Sequence, residues 1–180
     1  MSPITIEPAL PRDLPTVGEL YGAVCDFLAD KPYNPGWRRD GFPTEENART
    51  YLEAGALLLA RSGDFLAGAI GLTASPSAEE DEDAGNFQPP PSAGEALYIH
   101  VLAVHPEFQR QGVASRLLQA GEALARQRSV PALRLYVWEG NTVAIRAYEK
   151  NGYRTLQEGV DIGLAGFGLE RFFLYEKTLL

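Results

Sequence analysis

The run Gln109-Arg110-Gln111-Gly112-Val113-Ala114 is the part of this chain whose residue types have the clearest chemical use. It follows an unbroken apolar stretch, Leu97 to Val104, and a proline at Pro106. After it, Val113, Leu117, Leu118, Gly121, Leu124 and Ala125 recur at helical spacing, so a helix opens near Gly112. The first N–H groups of a helix have no intrahelical acceptor, and the macrodipole places partial positive charge there. Together they make a seat for a phosphate. Gly112 and Ala114 keep the entry bare, which lets a diphosphate approach the backbone. The GxGxxG spacing is absent and no Gly-Lys-Ser/Thr follows, so this is neither a Rossmann fingerprint nor a Walker loop. His100 and His105 are the only histidines and Cys25 the only cysteine, so no ligand cluster for zinc exists and no metal site is expected.

The elements that must position this seat read as follows. Leu97 to Val104 lacks Gly and Pro and suits a strand buried on both faces. Upstream, Ile4 to Glu7 alternates like a short edge strand, and Leu14, Val17, Leu20, Val24, Phe27 and Leu28 fall near helical spacing. Lys31 to Pro43 is a loop carrying Tyr33, Trp37 and Phe42. Thr44 caps a second helix, with Glu45 and Glu46 in its first turn, that runs to about Ala54. Ala56 to Ala60 and Phe65 to Thr73 bracket Ser62-Gly63-Asp64 as a hairpin. Downstream, Leu133 to Trp138 alternates as a strand, and Asn141 and Thr142 cap a helix that Asn151-Gly152 stops. Tyr153 to Leu156 is extended, and Phe172 to Leu179 reads as a last strand. The expected order is β-α-α-β-β-β-α-β-α-β-β, an α/β chain.

At 180 residues the chain fits one domain, 1–180. The stretch 75–94 departs in composition, with five consecutive acids from Glu79 and three prolines from Pro89, and reads as a solvated, mobile insertion. A formal net charge of -8 argues against a nucleic-acid surface. No apolar run approaches the ~20 residues of a membrane span, and the N-terminal residues carry no export signal, so a cytoplasmic protein is expected. Cys25 has no partner for a disulfide and reads as a small buried hydrophobe.

The Q-x-x-G-x-A run resembles the acyl-CoA pyrophosphate loop of the GNAT family of N-acetyltransferases. The strand before it (IHVLAVHPEFQ), the helix after it, LRLYVWEGN and AIRAYEKNGY fall in that family's order. The resemblance implies a mixed, mostly antiparallel sheet with about four helices, whose two central strands lie parallel and splay apart to receive the pantetheine arm of acetyl-CoA. It implies that backbone groups from Gln109, Arg110, Gln111, Gly112, Val113, Ala114 and Ser115 hold the diphosphate. It puts the Leu102 N–H at the thioester oxygen, Ala103 and Val104 along the pantetheine arm, and Asn141 beside it.

Acyl transfer from a thioester to an amine needs a polarised carbonyl, an amine free of its proton and a protonated leaving thiolate. The family places acid/base residues at the positions of Tyr98 and His100. An imidazole near ~6.5 makes His100 the candidate base, and Glu95 acting through water is an alternative. Tyr98 stands where glutamate is commoner. Tyr148, in the pattern Ala147-Tyr148-Glu149-Lys150-Asn151-Gly152-Tyr153, matches the tyrosine that donates to the departing thiolate. Trp37 and Phe42 match the wall of the acceptor pocket or else only pack. The implied acceptor is an amine of a small molecule, peptide or protein, and a homodimer stays open. Two rival readings are a non-catalytic acyl-CoA-binding regulator and an interaction module built on the same fold.

Overall fold

A computed structural model of the chain describes residues 2–76 and 96–179. Seven strands form one sheet: β1 (Ile4–Pro8), β2 (Leu57–Ser62), β3 (Phe65–Thr73), β4 (Ala96–Val104), β5 (Ala132–Trp138), β6 (Arg154–Val160) and β7 (Phe172–Thr178). The helices are α1 (Leu14–Leu28), α2 (Glu45–Glu53), α3 (Val113–Gln127) and α4 (Thr142–Lys150). Their order along the chain is the one expected from apolar periodicity. The sheet runs β1-β2-β3-β4-β5-β7-β6, and β4 with β5 is its one parallel pair among the described residues. The stretch 75–94 lies almost wholly outside the described residues, as does Glu95.

The parallel pair is short. β4 and β5 are paired at Ala96↔Ala132, Leu97↔Leu133 and Tyr98↔Arg134, and past that last pair the two strands part. A wedge therefore opens between the C-terminal halves of β4 and β5. Helix α3 packs across β1 to β5 on one face, where Leu97, Ile99, Val113, Leu117 and Leu118 share a core with Tyr148 of α4. The opposite face carries α1 and α2, packed on Leu57, Leu59, Ala69, Val101 and Ala103.

β4 changes phase at His100. Its register with β3 passes from Leu72↔Ile99 to Gly71↔Val101, leaving His100 as the extra residue of a bulge. Opposite it, Gly71 leaves room for the ring of Tyr51, which a Cβ at that position would overlap. Gly71→Ala should therefore destabilise the fold by about 1–3 kcal/mol through overpacking. Denaturant unfolding checks this, with an unchanged midpoint as the contrary result.

β6 extends beyond the expected Leu156. Its residues are exposed almost throughout, so the strand lacks the apolar alternation that marks a half-buried strand in sequence.

Candidate active site

The wedge is lined by a strand edge whose polar groups have directions fixed by the ladder. His105 donates its N–H to the Ala67 carbonyl on the β3 side at 2.8 Å. Peptide N–H groups alternate sides along a strand, so those of Val104 and Leu102 face the parting β5 side. Donors thus point into the wedge at the two expected positions. The side chain of Ala103 packs on the α1/α2 face.

At the end of β4 the chain turns through Pro106–Phe108 into α3. Arg110 and Gly112 both have positive φ, 61° and 79°, and the first bond of the helix runs from the Arg116 N–H to the Gly112 carbonyl at 3.1 Å. The N–H groups just before Arg116 therefore have no intrahelical acceptor. A Cβ on Gly112 would meet nothing within 4 Å, so the seat is open from outside. Gln109, Arg110 and Gln111 are exposed, Val113 is buried in the core, and Ala114 and Ser115 are half-buried. The Gln111 side chain donates to the Glu107 carbonyl at 3.0 Å, closing the turn.

Ser115 joins this seat to α4. Its Oγ accepts from Asn151 Nδ2 at 3.2 Å, which sets the last turn of α4 beside the first turn of α3. Tyr148, one turn earlier on α4, is buried and meets Tyr153 edge-on at 5.7 Å. Burial pushes its hydroxyl well above the usual phenol range, so it keeps its proton at neutral pH. Asn141 spends its side chain as the cap of α4, accepting from the Ala144 N–H at 3.3 Å.

His100 differs from its expected state. Its ring stacks on Tyr51 at 5.8 Å, and its Nε2 lies 2.7 Å from Thr73 Oγ1. Burial drives the imidazole down to about 4, against a weaker opposing pull from the Ser75 backbone. The ring is therefore uncharged at pH 7 but a poor proton store, in place of the base near ~6.5. The unfolded chain takes up that proton near ~6.5 while the folded chain refuses it until about 4. Stability should fall as pH drops through this window. His100→Gln should flatten that limb of a plot of Tm against pH, and an unaltered slope would contradict the assignment.

Tyr98 sits at the vertex where the strands part, buried, stacked at 6.3 Å on Tyr136. Its hydroxyl accepts from Arg134 at 3.4 Å, and Arg134 pairs with Glu176 at 2.7 Å. This arrangement fixes the Tyr98 hydroxyl at the vertex.

Of the two candidate wall residues, Trp37 lines a cleft of about 580 Å³. Phe42 supports it from behind, edge-on to Trp37 at 6.3 Å, its carbonyl accepting from the Arg38 N–H. The cleft also takes Trp138 from the end of β5 and Phe167 and Leu169 from the turn before β7. Sequence reasoning missed these three. Among the described residues no group of three or more His, Cys, Asp or Glu could hold a metal ion. No helix there is long and apolar enough to cross a membrane.

The sequence profile of the Acetyltransferase (GNAT) family matches residues 23–153. The chain belongs to the GNAT family. It is 28% identical over 126 residues to the mycothiol acetyltransferase of Geodermatophilus obscurus, a match covering 70% of this chain and 37% of that protein. The chain thus spans well under half the length of that relative. Two solved structures share the fold. The PaiA N-acetyltransferase of Thermoplasma acidophilum, in complex with coenzyme A, superposes with a TM-score of 0.68 at 22% identity, over 98% of this chain and 99% of that one. A GNAT-family acetyltransferase of Listeria monocytogenes gives 0.71 at 22% identity, over 98% and 95%. The splayed strand pair and four helices expected from the GNAT resemblance are thereby the observed architecture.

Proposed function

We propose that this chain is an N-acetyltransferase that moves an acetyl group from acetyl-CoA to a primary amine of a small molecule or peptide by direct attack in a ternary complex. The observation that carries the reading is the parting of β4 and β5 beside an open helix start at Gly112. One feature holds a thioester arm and the other its diphosphate, and family membership supports both uses. Bound acetyl-CoA supplies an activated acyl group on a thiol leaving group.

The chain's own residues then have separable tasks. Backbone N–H groups of the Gln109 to Ser115 segment hold the diphosphate, where the macrodipole favours negative charge. The Leu102 N–H polarises the thioester carbonyl, and the Val104 backbone aligns the arm. Tyr148, protonated at neutral pH, donates to the departing thiolate and regains a proton from solvent as the thiol leaves. The amine gives up its proton to the uncharged imidazole of His100 or to water. Trp37 walls the acceptor, and Phe42 holds that wall in place.

A thiol-release assay over a panel of primary amines tests the reading, with coenzyme A binding followed by calorimetry. Amine-dependent thiol release is the expected result. Tight coenzyme A binding without turnover on any amine would favour the regulator reading instead, and absence of binding would overturn both.

A further inference from the structure

We infer that the amine acceptor is aromatic, its ring held among Trp37, Trp138 and Phe167; this rests on the acetyltransferase reading. Three segments distant in sequence bring these aromatic faces to one cleft. Trp138 is the last residue of β5, the strand that bounds the wedge, and it alternates in phase with Arg134 and Tyr136. It therefore stands on the α1/α2 face, opposite α3. Trp138 is thus the residue the cleft shares with the strand that bounds the wedge.

Two of the three walls are held in place. Gly140 leaves room for the Trp138 indole, which a Cβ there would overlap. Trp37 is gripped by Asn34, whose Oδ1 accepts from the Trp37 N–H at 2.9 Å and whose Nδ2 donates to the Trp37 carbonyl at 3.2 Å. Phe167 is 69% exposed, which leaves ring surface for a bound aromatic group to cover.

Charge sharpens the choice. Arg39, lying across Gly22, is taken up by Asp26 at 2.6 Å, which neutralises that part of the cleft. Beyond Trp138 the adjoining hollow carries Glu139, paired with Arg171 at 3.7 Å, and Glu170, whose carboxylate favours a cationic amine at the entrance. The volume suits a small molecule. A flexible aliphatic diamine would leave the ring faces uncovered, whereas an aromatic amine stacks on them.

The two tryptophans of the chain are both in this cleft, so tryptophan emission reports on it without background. Titration with phenethylamine, excited where tyrosine does not absorb, should change the emission, and putrescine at the same concentration should not. In the thiol-release assay phenethylamine should exceed putrescine in kcat/KM about tenfold or more. Phe167→Ala should raise the KM for phenethylamine about fivefold, with coenzyme A affinity retained as the check on folding. Unchanged emission, or putrescine turned over as well as phenethylamine, would overturn the aromatic acceptor while leaving the acetyltransferase reading intact. An emission change without thiol release from any amine would leave the ring site standing and remove the acetyltransferase reading.

Discussion

Gly112→Glu should weaken coenzyme A binding by about a hundredfold or more. Two effects combine at this position. Its φ of 79° lies in the left-handed region, which costs a residue with a Cβ about 1–2 kcal/mol. The larger effect is electrostatic. Because a Cβ there meets nothing within 4 Å, the new carboxylate has free space over the N–H groups that would hold the diphosphate. At an effective dielectric constant of about 20, two like charges about 4 Å apart repel by about 4 kcal/mol, enough for a loss of two to three orders of magnitude in affinity. Gly112→Ala separates the two effects, because it carries the backbone strain without the charge, and should bind within about tenfold of the parent. Calorimetric titration with coenzyme A decides, with Tm showing that both variants fold. Binding by the glutamate variant within about threefold of the parent would move the diphosphate to another site.

That test concerns a feature legible from sequence, and the reason is local. A helix start, a glycine and a proline turn are written in consecutive residues, so the Gln109 to Ser115 segment could be placed without knowing its neighbours. The same holds for β3, read as Phe65 to Thr73 and found there, and for the Thr44 cap, whose N–H donates to Asn47 Oδ1 at 2.9 Å. The bulge at His100 is different. It depends on how β4 is registered against β3, and nothing in the sequence around His100 announces an extra residue. Its depressed basicity follows from burial under Tyr51 and was hidden for the same reason. Arg134 shows a third kind of failure. In the alternation of Leu133 to Trp138 an arginine reads as the outward residue. Here it is buried, with Glu176 of β7 and the Tyr98 hydroxyl accepting from its guanidinium. The acceptor cleft was invisible for a geometric reason. Trp138 and Phe167 meet Trp37 only after the sheet brings the end of β5 and the turn before β7 against the loop between α1 and α2.

Tyr148→Phe should lower kcat about a hundredfold while leaving the KM for acetyl-CoA within about twofold, since a positioned general acid contributes about 10²–10⁴ in rate. The fold should tolerate the change. The phenylalanine ring fills the same buried volume and keeps the edge-on contact with Tyr153 at 5.7 Å, so Tm should move by only a few degrees. Burial sets the pH behaviour. With the hydroxyl held well above the ordinary phenol range, the acid form persists across neutral and mildly alkaline pH, and the parent should show no alkaline loss of kcat from this group below about pH 9. The role also has a signature that a packing role lacks. If the hydroxyl protonates the departing sulfur, an acetyl thioester of a more acidic thiol needs that help less. The variant should then lose less rate with such a donor than with acetyl-CoA, whereas a tyrosine that merely packs would give the same ratio for both. An unchanged kcat, or an equal loss with both donors, would remove Tyr148 from the proton transfer.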